Sequence, residues 1–290
     1  MKGIILSGGK GTRLYPSTLV VSKQLLSIYD KPMIYYPLSI LLLIGIKEIL
    51  IISTKNDINN YKRLLGNGKK IGVKISYGVQ KKPRGIVDAL IIGKKFIEKD
   101  SVCLILGDNI FYGNELPKIL QEAKKENKGA TIFGYRVNNP EEFGVVELDK
   151  NDNIISIEEK PKNPKSKYIV PGLYFYNNSV VNIAKKINAS KRKELEITTL
   201  NNEYLKKENL KIKLLNQNVY WFDTGTPNSM LKASNFVKNI QLSHRLYIAC
   251  IEEIAWRQGF INNMQLKEIG IELKHTDYGK YILSILEGDK

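Results

Sequence analysis

Residues 3–16 read GIILSGGKGTRLYP: a short apolar run, then three glycines interleaved with a lysine, a threonine and an arginine, closed by Pro16. An apolar run of this length, cut off by glycine, predicts a strand that ends in an open turn. Gly8, Gly9 and Gly11 have no Cβ and tolerate unusual backbone angles, so their N–H groups can close on a ligand. Amides pointing into such a turn favour an anion. Arg13 offers a forked contact to phosphate oxygens, and Lys23 follows as a compact second charge. Neither standard phosphate fingerprint is present. GxGxxG needs glycine where Leu14 stands, and no G-K-[ST] follows a four-residue gap.

The same apolar density returns at residues 48–53 (EILIIS), 71–77 and 101–106 (SVCLIL). Continuous Ile, Val and Leu suit strands covered on both faces, as in a parallel sheet. Helical segments are predicted between them at 32–44, with Asp30 as cap and Pro32 in the first turn, and at 57–65 and 85–98. This β-α alternation predicts a Rossmann-like α/β fold, a mixed and mostly parallel sheet flanked by helices, with its ligand edge at the carboxyl ends of the strands. Asp108 stands two residues beyond SVCLIL, at that edge. After Asn109 the pattern shifts to short strands: TIFGYRV, FGVVELD, IISIEEK, IVPGLYFY and LKIKLL. From about Ser229 helical spacing returns, in SMLKASNFVKNIQ and CIEEIAWRQGF, which predicts a helical C-terminal appendage.

At 43% hydrophobic over 290 residues the chain has enough apolar material for a large core. The apolar run at 38–46 is about half of the ~20 residues a membrane span needs, so no transmembrane helix is predicted. The opening MKGIIL lacks a secretory core, which places the chain in the cytoplasm. Cys103 and Cys250 lack metal-ligand spacing and are expected as buried free thiols. The net charge of +16 raises the possibility of nucleic-acid binding. Lysine pairs such as Lys69/Lys70, Lys124/Lys125 and Lys206/Lys207 are spread along the whole chain, however, which reads as solvated faces and not as a binding stripe.

GGKGTRLYP is followed, in order, by SKQLL, YDKPMIYYPL, LGDN, FGVVE, EEKP, GLYFY, ELEIT and WFDTGT. From Met1 to about residue 260 this series resembles the sugar-nucleotide pyrophosphorylases, most closely those that transfer a thymidylyl group to glucose 1-phosphate. The resemblance implies a nucleotidyltransferase domain over 1–240, with a nucleotide half of about 1–110 and a sugar-binding half of about 111–228. Residues 241–290 would form an appendage for assembly or regulation. It also implies attack of glucose 1-phosphate on the α-phosphorus of dTTP with Mg2+, giving dTDP-glucose and pyrophosphate, in a homotetramer with an end-product dTDP-sugar site at an interface. The product would feed dTDP-sugars, such as dTDP-rhamnose, into surface polysaccharide.

The chemistry of the candidate residues agrees with that implication. Two anionic substrates repel, so cations have to neutralise the triphosphate and the charge that develops on it. Arg13 and Lys23 are the candidates for this, and Asp108 and Asp223 together suit Mg2+, which takes few protein oxygens and keeps waters. Leu6, Gly8, Gly9, Gly11, Thr12 and Gln24 belong to the nucleotide side. Gln80 carries a donor and an acceptor for a pyrimidine imide edge, and Gly85 permits backbone contact with the ring. Asn109, Gly144, Glu159, Lys160, Val170 and Gly172 are assigned to the sugar phosphate, with Arg192 as a second cation. Gln80 does not sense the thymine methyl, so UTP stands as the alternative nucleotide. Arg84, Asp88, Pro171, Lys193 and Pro227 depart from the family pattern.

Overall fold

The computed structural model describes residues 1–288. A ten-stranded mixed sheet runs through its centre. Four parallel strands form one half, in the spatial order Val102–Leu106, Lys2–Ser7, Glu48–Ser53 and Lys74–Val79. Successive side chains of a strand point to opposite faces, and here both faces are covered. Ile5, Ile49 and Ile51 enter one core with the Tyr35–Leu43 helix, while Ile4, Leu50 and Ile52 enter a second core with Leu90, Tyr174 and Leu200. This is why the strands read as unbroken apolar runs.

The other half is antiparallel for the most part. Leu173–Tyr176 pairs with Val102–Leu106 and with Ala130–Arg136. The sheet then continues through Tyr168–Ile169, Gly144–Leu148 and Ile154–Glu159, and Leu210–Leu214 lies parallel beside Ala130–Arg136. These are the short strands expected after Asn109. Helices Pro227–His244, Ile251–Arg257, Asn263–Glu272 and Asp277–Leu286 close the chain. The first begins on a capping box, in which Thr226 and Ser229 satisfy each other's backbone N–H. Its continuous turns carry the chain across residue 240 into the appendage. Cys250, Ile251, Leu266 and Ile282 then join the core beneath Tyr35–Leu43.

Three local expectations are corrected. The helix predicted at 32–44 begins at Tyr35, because Lys31–Pro32 pairs with Ser27–Ile28 in a hairpin. Asp30 is therefore not a cap: it receives Lys31 Nζ at 2.6 Å and Gln241 Nε2 at 3.1 Å. The strand predicted at 71–77 starts at Lys74, since Gly68 and Gly72 (φ 82 and 67) enclose a short turn over Lys69–Ile71. The helix predicted at 85–98 breaks at Gly93, where a Cβ would lie 2.7 Å from Ile4 Cδ1. Both cysteines are buried free thiols, and among the described residues no helix is long and apolar enough to cross a membrane.

Candidate active site

Leu6 pairs with Leu106, so the glycine turn and the Gly107–Asn109 turn leave the sheet at the same edge. Gly107 N–H donates to Leu6 O at 2.8 Å. Beyond it, Asn109–Tyr112 pairs antiparallel with Tyr220–Asp223, with Asn109 opposite Asp223. That register returns the chain, more than a hundred residues later, to the side of Asp108. The Thr224 hydroxyl and N–H both donate to Asp108 O, at 2.8 and 3.2 Å, which holds the two segments together.

Lys23 lies in the next turn and is 8% exposed. Its Nζ donates to Asp108 Oδ2 at 2.7 Å and stands 4.0 Å from Asp223 Oδ1. Arg13 packs directly on Gly225, where a Cβ would lie 2.9 Å from Nη2. Burial and then the neighbouring Asp108 carboxylate push the Asp223 carboxyl above its usual range, while Lys23 and Arg13 offset this only in part. Charge pressure of this kind is relieved by a further cation. Two carboxylates suit a divalent ion that completes its shell with water and phosphate oxygens. Among the described residues, no group of three or more His, Cys, Asp or Glu forms a metal cluster of the all-protein kind.

Two clefts open at this edge of the sheet, one of them onto this centre. One, of about 450 Å³, lies beyond the glycine turn and is lined by Gly9, Lys10, Tyr15, Ser22 and Gln80. Gly9 and Gly11 adopt φ of 95 and 60, and Gly11 O accepts from the Thr18 hydroxyl at 2.7 Å before the Thr12–Leu14 turn begins. Gln24 is 4% exposed, and its oxygen accepts from Ser22 Oγ at 2.7 Å. Gly85 has φ 96, and a Cβ there would lie 2.6 Å from Leu195 O. Close backbone approach to Leu195 therefore requires glycine at this position, independently of any contact with a base.

The other cleft, of about 610 Å³, brings together Asn109, Gly144, Glu159, Lys160, Val170, Gly172 and Arg192, all seven of the residues assigned to the sugar phosphate, with Arg13, Asp108 and Asp223 at its inner wall. Asn109 joins the two parts: Nδ2 donates to Asp108 Oδ1 at 3.2 Å, and Oδ1 accepts from Gly172 N–H at 3.1 Å and Trp221 Nε1 at 2.6 Å. Glu159 accepts the Thr198 hydroxyl, and Val170 N–H donates to Gly144 O. Arg192 is engaged by carboxylates. It forks onto Glu196 with Nε and Nη2 each at 3.1 Å, reaches Glu194 at 3.1 Å and stands 3.8 Å from Glu159.

The comparisons with known proteins agree with this arrangement. Residues 2–240 match the family model described as nucleotidyl transferase. A glucose-1-phosphate thymidylyltransferase of Neisseria meningitidis is 52% identical over 99% of this chain and 100% of its own length. One from Mycolicibacterium smegmatis is 50% identical over 99% of each chain. The chain belongs to the nucleotidyl transferase family. A crystal structure from Bacillus anthracis, provisionally assigned as a glucose-1-phosphate thymidylyltransferase and complexed with a sucrose, superposes with TM-score 0.76 at 41% identity, covering 81% of this chain and 94% of that one. A UDP-glucose pyrophosphorylase with UDP-glucose shares the fold at TM-score 0.73 and 21% identity, over 82% of this chain and 98% of that one.

In this nucleotidyl transferase several site residues escaped the sequence reading. Trp221 fixes the Asn109 amide, and its ring packs edge-on against Phe143 and Tyr135. Thr198 and Glu196 line the larger cleft and hold Glu159 and Arg192. The signal was available in WFDTGT and ELEIT, where only Asp223 and the neighbouring Arg192 were given roles. Lys160 has φ 46 and donates its backbone N–H to Phe143 O at 3.0 Å. Among the described residues no carboxylate pairs with its Nζ, so of the two cations assigned to the sugar phosphate it is the one not already held.

Proposed function

We infer that this chain is a glucose-1-phosphate thymidylyltransferase, an enzyme that makes dTDP-glucose and pyrophosphate from dTTP and glucose 1-phosphate. The observation that carries the reading is the full-length identity of about half to relatives that bear this name. The geometry supports it: a cation and two carboxylates meet at the wall of one of two clefts of substrate size. A phosphate oxygen of the sugar phosphate attacks the α-phosphorus, the new P–O bond forms, and the bond to the β-phosphate oxygen breaks with its electrons leaving on pyrophosphate. No side-chain nucleophile takes part. Lys23 and Arg13 hold the triphosphate oxygens and neutralise developing charge. Asn109, Glu159 and Gly172 orient the sugar, and Lys160 faces its phosphate.

Nucleotidyltransferases of this family typically need a divalent metal. Asp108 and Asp223 would hold it here, and the donor set, the charge pressure on Asp223 and the triphosphate substrate favour Mg2+. Bound there, the ion would supply Lewis-acid polarisation of the phosphoryl group. We extend the reading to a cytoplasmic homotetramer, with an end-product dTDP-sugar bound at an interface. Leu231 and Leu242, exposed on the Pro227–His244 helix, offer apolar surface for assembly. Purified protein incubated with glucose 1-phosphate and dTTP, UTP or no nucleotide, with Mg2+ or a chelator, tests the function. Sugar nucleotide and pyrophosphate should appear fastest with dTTP and cease without metal. Release from UTP at the greater rate would turn the assignment to a uridylyltransferase.

A further inference from the structure

We propose that Asp88 is a positioning residue that fixes which face of the Gln80 amide meets the nucleobase, and so selects thymine or uracil against cytosine. The proposal rests on the reading of Gln80 as the base contact. Gln80 follows the Lys74–Val79 strand and Asp88 opens the Asp88–Ile92 helix; they are 7% and 6% exposed. Gln80 Nε2 donates to Asp88 Oδ2 at 3.1 Å and to Gly85 O at 3.4 Å. An ionised carboxylate only accepts, so the amide has to turn its NH2 group towards Asp88. Both N–H groups are then held within the protein. Oε1 is left against the glycine turn, where a Cβ on Gly8 would lie 2.6 Å from it, and among the described residues no donor reaches it.

This narrows the role of Gln80 from donor and acceptor to acceptor alone. Thymine and uracil carry a hydrogen on ring N3 and match an amide oxygen. Cytosine carries a lone pair there, and two acceptors facing each other in a desolvated cleft leave both unpaired. An amide free to turn would serve either base. Arg84 Nη1 stands 4.0 Å from Asp88 Oδ1, so two of the positions at which this chain departs from the family pattern face one another behind the base contact.

The test compares the wild type with Asp88→Asn, Asp88→Glu and Gln80→Leu, using dTTP and dCTP, with kcat and KM from turnover, affinities from calorimetry, and Tm. Asp88→Asn replaces an obligate acceptor by an amide of the same shape. It is expected to raise KM for dTTP about tenfold with kcat within about twofold, and to lower the dTTP:dCTP ratio of kcat/KM about tenfold at unchanged Tm. Asp88→Glu, which keeps the acceptor, should hold the ratio near the wild-type value. Gln80→Leu should collapse it. An unchanged ratio in Asp88→Asn or Gln80→Leu overturns the proposal, as does an equal loss with both nucleotides accompanied by a fall in Tm. If the wild type turns over neither nucleotide, the thymidylyltransferase reading fails, and the calorimetric affinities still decide the role of Asp88.

Discussion

At the nucleotide end of the cleft one buried lysine serves two carboxylates; at the sugar end three carboxylates surround one arginine. Lys23 and Arg13 face Asp108 and Asp223, a balanced set that is open to a metal ion and a triphosphate arriving together. Arg192 faces Glu159, Glu194 and Glu196, and Lys160 lines the same cleft without pairing to any of them, so the sugar end carries an excess of acceptors. Acceptors suit the hydroxyl groups of a neutral ring and are poor company for phosphate. On the proposed function the two ends divide between handling charge and reading hydroxyls, and the Asn109 amide, bonded to Asp108 on one side and Gly172 on the other, links them.

The largest effect should come from the charge-handling end. Asp108→Asn removes the carboxylate that holds Lys23 and that the proposed function gives to the metal ion, and turnover should fall about 1,000-fold with the far-ultraviolet dichroism unchanged. Lys23→Met should cost about 100- to 1,000-fold in kcat by the same argument, with a smaller change in KM. A loss of less than about tenfold in either would show that the balanced set is structural.

Gly85 tests how the two halves are joined. Leu195 N–H donates to Arg84 O at 2.7 Å and Val87 N–H to Leu195 O at 3.3 Å, so the base-side loop is laced to the segment that carries Glu194 and Glu196. Gly85→Ala places a methyl group 2.6 Å from Leu195 O in a left-handed backbone conformation. It should destabilise the fold by about 2 kcal/mol or more, measured by urea unfolding, and raise KM for both substrates. A rise confined to the nucleotide would show that the halves are not coupled through this bridge.

Much of the division was legible in the sequence because its parts are local. The parallel strands follow from unbroken Ile and Leu runs, and the glycine turn follows from residues 8–11. The corrected elements depend on contacts and not on residue pattern: a hairpin that only pairing reveals, glycines at 68 and 72 whose left-handed angles depend on their neighbours, and Gly93, which packs on the distant Ile4. At the site, single charged residues in short motifs were found, whereas partners set by long-range register were not. Trp221 acts on Asn109 across 112 positions, and Thr198 on Glu159 across 39. The caging of Arg192 is of the other kind, legible and passed over: Glu194 and Glu196, which bond it at 3.1 Å, stand two and four residues away in ELEIT, and only Glu159 comes from a distant strand.

A moderate effect is expected from Arg192. If it acts by holding Glu159 and Glu196 in place, Arg192→Ala should raise KM for glucose 1-phosphate about tenfold and leave kcat and the KM for dTTP nearly unchanged. Arg192→Lys keeps the charge and loses the fork, and should fall between the two. A loss of 100-fold or more in kcat would instead mean that the guanidinium leaves its carboxylates to meet the substrate phosphate, and the contrast between the ends would be erased.

The smallest effect is one of stability, and its sign separates function from folding. Burial and Asp108 raise the Asp223 pKa above its ordinary value. As pH rises from the ordinary carboxylate range to that raised value, the unfolded chain releases this proton first, so stability declines across the window and the penalty persists to neutral pH. Asp223→Asn removes the penalty. At pH 7 its Tm should therefore lie above that of the wild type by on the order of one or two degrees, a modest shift because the carboxyl is partly exposed. The difference should shrink as pH falls through about 4 and vanish by about pH 3, where the carboxyl is largely protonated in both states. Turnover should be lost at the same time, since the cation site has lost a ligand. Added Mg2+ should then raise the Tm of the wild type and not that of the variant, which closes the gap from the other side. A variant that is less stable than the wild type at pH 7 would mean that Asp223 is held in place to support the fold and not to meet an ion.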